Sequence, residues 1–268
     1  IKIYSEKNRS SELFEFKNKN ENNFYLLKYI EFYNLLRKNK FLKFLKYKNY
    51  SFESINKRNY NLIINSEHNN PITKKFFPNK IEKNYNASAY TTIINHKKIE
   101  NKIAVQIFTK NGPLAFLPLS DYQTSIVFSY NSNKLINNKK LLEIINKYNQ
   151  KYVINKISNV EKFEIKFSFL RKYVYKNILS FGDLIHKVHP LAGQGFNMTI
   201  RDIKSLSLIL DENIKLGIDN GEIIAQKFQQ NNKHLNFMYG VGIDSINSFF
   251  KLDNKFKNNL SEPMFKIL

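Results

Sequence analysis

The chain has 268 residues, 42% hydrophobic and 15% aromatic, which suffices for a substantial core and is too apolar for a disordered segment. It carries 43 Lys and Arg against 22 Asp and Glu, a formal net charge of +21, and no cysteine, which excludes disulfides, thiolate nucleophiles and cysteine-ligated metal sites. The charge does not mark a nucleic-acid binder: the lysines are spread among abundant Asn and Ile, the bias that an AT-rich genome imposes, and no helix carries a basic stripe.

Ile1–Tyr4 opens the chain in a strand-like run without a signal peptide, the beginning expected of a fragment whose first part is missing. Together with the absence of any run near the ~20 apolar residues of a membrane span, this points to the cytoplasm, with attraction to an anionic membrane surface as a milder consequence of the charge. A second strand is expected over Leu13–Phe16, after a polar turn at Lys7–Ser10. Over Asn23–Asn39 the spacing of Leu26, Ile30, Tyr33 and Leu36 predicts one face of a helix. Tyr60–Ile64 reads as a buried strand that ends in the polar run Asn65–Asn70 and Pro71. From Ala87 to Ile165 the pattern changes to short strands rich in β-branched and aromatic residues, at 89–94, 104–108, 114–119 and 125–130, with one helix over Leu135–Tyr148. A strand at Asn177–Phe181, a loop and a helix from about Phe196 to Leu210 follow, then helices at 221–236 and 242–252. The expected fold class is α/β (α+β) with a mainly antiparallel sheet, divided at 1–85, 86–170 and 171–268.

The segment from Phe181 to Asp202 is the most informative. It reads as a buried strand ending in Gly182-Asp183, a loop, and a Gly193-Gln194-Gly195 turn that opens a helix. A carboxylate just past a strand's C-terminal end is placed to accept hydrogen bonds from ligand hydroxyls. Glycines at a helix start let a ligand approach backbone N–H groups, and the helix dipole favours negative charge there. A lone Gly-x-Gly is more often a plain turn, and the third glycine of a dinucleotide fingerprint is absent. His186 and His189 are spaced i, i+3 without a carboxylate or cysteine cluster, and Pro190 interrupts any helix. Hydrogen bonding within the loop is therefore expected of them rather than a metal. Arg201 and Asp202 read as an ion-paired structural element.

Taken whole, the string resembles the second flavin-binding motif of class A flavoprotein monooxygenases, in the form found in ubiquinone-biosynthesis hydroxylases. Gly182, Asp183, His186, His189, Pro190, Ala192, Gly193, Gln194, Gly195, Asn197, Arg201 and Asp202 match in register. Two weaker echoes keep the family's order: Phe108 with Gly112–Leu119, and Gly242-Ile243-Asp244 with Phe249-Phe250. The resemblance implies a partial FAD/NAD(P)-binding Rossmann-like domain interleaved with an antiparallel substrate sheet. It implies that Asp183, presented by Gly182, bonds the ribityl chain of FAD. Pro190, Ala192, Gly193, Gln194 and Gly195 would lie along the isoalloxazine, and N–H groups near Gly195, Phe196 and Asn197 would face N1 and the C2 carbonyl. Pro113, Leu114, Phe116, Leu117 and Pro118 would roof the pocket of a polyprenylated phenol. The implied reaction uses NAD(P)H and O2 and hydroxylates the ring through a C4a-hydroperoxyflavin. The implied setting is the inner face of the cytoplasmic membrane, within a quinone-biosynthesis complex.

Two departures qualify the resemblance. The family's N-terminal Gly-x-Gly-x-x-Gly unit is absent. Its Gly-Ala-Asp-Gly motif, which helps bind FAD and the nicotinamide cofactor, falls on Asn65-Ser66-Glu67-His68, where Glu67 keeps a carboxylate and the glycines are replaced. The alternative to an active hydroxylase is a non-catalytic paralogue serving as a scaffold.

Overall fold

The computed structural model describes residues 1–6, 12–15, 25–38, 40–46, 49, 55, 60–132 and 135–256. In chain order, the elements are β1 (Lys2–Ser5), β2 (Phe14–Glu15), α1 (Tyr29–Arg37), β3 (Ile63–Asn65), α2 (Pro71–Phe76), β4 (Lys80–His96), β5 (Val105–Thr109), β6 (Gly112–Ser120) and β7 (Gln123–Tyr130). Then come α3 (Asn138–Tyr148), β8 (Ile154–Ile157), β9 (Glu161–Leu170), β10 (Val174–Tyr175), β11 (Ile178–Ser180), β12 (His186–Lys187), α4 (Gln194–Lys215) and α5 (Gly221–Phe256). They divide into two compact units. The first comprises Ile1–Tyr47, Asn86–Glu164 and Phe249–Leu268; the second comprises Lys48–Tyr85 and Ile165–Ser248.

In the first unit β5, β6, β7 and the later part of β4 form an antiparallel sheet, extended by β1 parallel to β5 and by β8 on β4. Period-two alternation puts Tyr90, Ile94, Ile107, Leu114, Phe116, Ile126 and Phe128 into one core with Leu141, Ile145 and Tyr148 of α3. Fully burying each large side chain contributes roughly 1.5–3 kcal/mol. Helix α3 starts where Asn137 accepts a hydrogen bond from Lys140 N at 2.8 Å, three residues later than the pattern expected over 135–148. Gly112 closes the β5–β6 turn at φ +126°, with Ser129 O 1.8 Å from where a Cβ would stand, so no other residue fits there.

In the second unit β11 lies between β10 and β3, antiparallel to the first and parallel to the second. Phe77, Tyr173, Leu179, Leu206, Ile209, Ile224 and Phe228 form the main core beneath them. Met198, Asp202, Leu206, Ile209 and Asn213 recur at helical spacing as the buried stripe of α4. That helix stops at Gly217, in the left-handed conformation.

Several expectations need correction. The two helices expected at 221–236 and 242–252 are one helix, α5. Gly240 does not break it: a Cβ there would lie 2.3 Å from Phe169 Cζ, so the glycine admits the ring against the helix. Strand β4 begins at Lys80, through a polar stretch (Glu82, Lys83, Asn84) that local pattern left unassigned. Of the expected 23–39 helix, Tyr29–Arg37 is helical (α1) while the described residues 25–28 are not, and the strand expected at 13–16 is the two-residue β2. The turn at Lys7–Ser10 lies outside the described residues.

Candidate functional site

Parallel pairing fixes the site. Strands β3 and β11 run in register, Ser180 opposite Asn65, and Phe181 N donates to Asn65 O at 2.9 Å. Their C-terminal ends therefore emerge side by side, the position where open α/β sheets take ligands. From β11 the chain passes into Gly182, at φ +64°, where a Cβ would meet no atom of the described residues within 4 Å. Leu184 and Ile185 are buried and anchor this turn, while Asp183 is exposed.

From β3 the chain passes into the turn Asn65–Asn70, which side chains hold without the expected glycines. Asn65 Nδ2 donates to Thr73 Oγ1 at 2.8 Å, and Asn70 Nδ2 donates to Asn65 Oδ1 at 2.6 Å. Asn70 Oδ1 accepts from Thr73 N at 2.8 Å and so caps α2, while Thr73 Oγ1 donates to Glu67 O at 2.5 Å. Glu67 enters this system only through its backbone carbonyl; the residue itself is exposed. His68 is half-buried. Burial first, then the charges of Lys187 and Lys80, hold its pKa below the usual histidine range against the opposing pull of Asp183.

Past β12 the chain makes a 3-10 turn, Leu191–Gly193, and enters α4. Gly193 sits at the N-cap in the left-handed conformation, at φ +67°. No side chain caps the helix, and no acidic residue occupies its first turn. No side-chain hydrogen bond therefore closes the start of α4; Gln194 N–H donates to Leu191 O of the preceding 3-10 turn. Among the described residues a Cβ on Gly193 would meet nothing within 4 Å, and one on Gly195 only Val188 Cγ2 at 3.8 Å. Pro190 is half-buried and Leu191 buried, whereas Phe196 and Asn197 are exposed. Ala192 lies in the 3-10 turn between them.

Two hydrogen-bond systems hold this segment, and both contain residues that sequence reasoning placed otherwise or missed. His186 Nε2 and Asp202 Oδ2 are 2.8 Å apart with both side chains wholly buried. Asn236 Nδ2, from α5, donates to both Asp202 oxygens at 3.1 Å, and Arg201 Nη2 donates to Asn236 Oδ1 at 2.7 Å while its guanidinium lies 4.0 Å from the Tyr239 ring centroid. Asp202 thus pairs with a histidine sixteen residues earlier, and Arg201 meets it only through Asn236; adjacent helix residues point about 100° apart and do not face each other. The second system joins Tyr85, edge-on to His189 at 5.5 Å, to Asp244, which accepts from Tyr85 Oη at 2.7 Å and Lys83 Nζ at 2.8 Å. Nothing in the local pattern singles out Tyr85 or Asn236, whose partners lie 159 and 34 residues away.

The sheet residues belong to the first unit. On β6, Leu114 and Phe116 point into the core beneath α3, so the pleat turns Pro113 and Leu117 to the opposite face. Pro118 is buried.

Comparison with known proteins bears on these features together. A family model described as the FAD binding domain matches residues 110–217. The ubiquinone biosynthesis monooxygenase COQ6 of Caenorhabditis elegans is 24% identical over 215 residues, covering 63% of this chain and 48% of the relative. Human COQ6 is 26% identical over 197 residues, 58% of this chain and 42% of that one. The ubiquinone hydroxylase UbiL of Rhodospirillum rubrum is 27% identical over 147 residues, 51% and 34% of the two chains. The match thus spans less than half the length of these curated relatives. Among solved structures, Klebsiella pneumoniae HpxO complexed with FAD and uric acid aligns with a TM-score of 0.58 at 10% identity, covering 76% of this chain and 56% of that one. P. aeruginosa PqsL in complex with 2-aminobenzoylacetate aligns at 0.55 and 15% identity, over 73% and 57%. At such identities the likeness establishes the fold: mixed α/β, a Rossmann-like part interleaved with a large sheet.

Proposed function

We propose that this chain, which belongs to the family of FAD-dependent hydroxylases of ubiquinone biosynthesis, carries the flavin-ring and substrate-sheet parts of an enzyme that hydroxylates the ring of a polyprenylated phenol with NAD(P)H and O2. One observation carries the reading. The exposed Asp183 beyond a left-handed Gly182 and the uncapped start of α4 lie in the same unit, with no atom of the described residues within 4 Å of a Cβ built at Gly182 or Gly193. A group with a hydroxylated chain and an electron-rich ring edge fits that donor and acceptor set. Asp183 would accept hydrogen bonds from the ribityl hydroxyls of FAD. Pro190–Gly195 would line the ring, and the N–H groups of Gly195, Phe196 and Asn197 would stabilise negative charge at its pyrimidine end.

When bound, FAD supplies the redox chemistry that takes electrons from NAD(P)H and activates O2. The protein's own contribution is to bind, orient and exclude water. His186 and Asp202 tie β12 to α4, so the carboxylate and the helix N-terminus keep a fixed spacing. On the face of β6 turned away from the α3 core, the partly exposed Leu117, with the buried Pro113 behind it, would offer apolar contact to a substrate ring and its tail. The +21 charge suits a peripheral position on an anionic membrane, where a polyprenylated substrate resides, and no helix among the described residues is long and apolar enough to cross one.

A second reading, a non-catalytic paralogue held as a scaffold, draws on the rebuilt Asn65–His68 turn. Flavin content of the full-length protein, followed by NADPH oxidation with and without a prenylphenol, tests both. Bound FAD with prenylphenol-dependent oxidation and a hydroxylated product is the expected result. Bound FAD without oxidation favours the scaffold, and a protein that retains no flavin refutes the proposal.

A further inference from the structure

His68 stands where the resembled family carries a glycine, and its surroundings give the imidazole something to do. The turn it occupies is held by Asn65, Asn70 and Thr73, so His68 is not needed to shape it. The register of β3 against β11 sets this turn beside Gly182-Asp183. Among the described residues Nε2 is buried without a hydrogen-bond partner, and no bond engages Nδ1, which leaves Nδ1 as the nitrogen able to meet a ligand. The charged groups acting on it are Lys187, Lys80 and Asp183. Burial and the two lysines keep the ring neutral at neutral pH. A neutral ring carries one proton. Placing it on Nδ1 avoids a buried, unpaired N–H at Nε2 and makes the outward nitrogen a donor.

A donor beside a carboxylate acceptor is the complement of a hydroxyl group, which accepts from one and donates to the other. An ionised phosphate lacks that second capacity: it could accept from the ring nitrogen and meet Lys80 or Lys187, but it has no proton to give the Asp183 carboxylate. Building on the flavin reading above, we propose that His68 Nδ1 and the Asp183 carboxylate together grip the hydroxylated chain of the cofactor. This makes His68 a binding residue in place of the glycine turn that the chain lacks.

The test uses the full-length protein and three flavins that differ in this chain: FAD, riboflavin, and lumiflavin, which has no hydroxyls. Dissociation constants are read from flavin fluorescence for the wild type, His68→Gly and His68→Asn. Glycine is the residue that such a turn carries in the family, and asparagine returns a donor near the position of Nδ1. Loss of one neutral hydrogen bond predicts that His68→Gly weakens FAD and riboflavin roughly three- to tenfold and leaves lumiflavin unchanged, with His68→Asn restoring most of the loss. Equal affinities in wild type and His68→Gly, or a loss of the same size for lumiflavin, overturn the inference while leaving the flavin reading intact. A wild type that binds none of the three overturns both. Thermal melts of each variant separate a binding defect from unfolding, and if His68→Gly does not fold, failure of His68→Asn to hold riboflavin near the wild-type affinity counts against the inference.

Discussion

Replacing Asp202 with alanine removes the acceptor on which two buried donors depend. His186 Nε2 loses its partner at 2.8 Å and Asn236 Nδ2 loses both oxygens at 3.1 Å. Neither can turn to water, since Asp202, His186 and Asn236 are all buried. Asn236 cannot invert its amide either, because Arg201 Nη2 already holds its oxygen at 2.7 Å. Each stranded donor costs about 1–3 kcal/mol, so their sum is about 2–6 kcal/mol. Against a whole-domain stability of roughly 5–15 kcal/mol this is a large fraction. Urea denaturation should show a lower midpoint at an unchanged slope, as a loss of stability without a change of mechanism requires. Asp202→Asn retains an oxygen for His186 and should lose less. The double variant His186→Phe with Asp202→Leu, which leaves no charge or ring nitrogen stranded, should recover part of the loss. A deficit under about 1 kcal/mol for Asp202→Ala would show that water or rearrangement reaches this pocket, and the positioning role given to the pair would fall with it.

Three other perturbations follow from equally specific contacts. Gly240→Ala should destabilise the protein by about 1–3 kcal/mol through overpacking on Phe169, whereas Gly242→Ala, which meets nothing within 4 Å, should raise the melting temperature through helix propensity worth up to ~1 kcal/mol. Asp183→Ala should leave the melting curve of the flavin-free protein unchanged, because the residue is exposed, yet weaken flavin binding; equal flavin affinity would remove Asp183 from the site. Asp244 is partly buried, which alone would raise its pKa, but the hydrogen bonds from Lys83 and Tyr85 and the Lys83 charge prevail and hold it below the ordinary aspartate range. Its folded pKa being depressed, its contribution is complete above the unfolded value of about 3.9 and is lost as pH falls through the folded value. The stability gap between wild type and Asp244→Asn, followed by chemical denaturation, should therefore be constant near neutrality and close under acid; a gap that widens on acidification would contradict the assignment.

What the sequence disclosed of the fold follows the range of the forces involved. The strands of the first unit were legible because each has one buried face, so alternation is written into β5, β6 and β7 residue by residue. The early part of β4 was not, since Ile81 is the one apolar residue of Lys80–Asn84 and the partners of this stretch are distant, among them Ser168, whose Oγ donates to Glu82 from 86 positions away. The pattern reads α5 as two helices, 221–236 and 242–252, and Gly240 falls in the gap between them, a residue that disfavours a helix interior by propensity. The gain in packing Phe169 against a bare helix surface overrides that propensity, and no local window contains both residues.

The site divides along the same line. Gly182, Asp183 and the Gly193–Gly195 turn announce themselves through residue type, because left-handed backbone at 182 and 193 and an uncapped helix start leave few alternatives. The opposite wall carries no such signature. Asn65–His68 reads as a motif that has lost its glycines, and by sequence alone that loss weakens the case for a cofactor. In three dimensions Asn65, Asn70 and Thr73 close the turn with side-chain hydrogen bonds, so the backbone no longer depends on glycine. That leaves position 68 free to bear a side chain, and the one it bears is a neutral ring beside the carboxylate at the strand end. A substitution that looked like decay is thus compatible with a working site, provided the chemistry lost in the backbone is supplied by the imidazole, and the lumiflavin comparison measures that exchange directly.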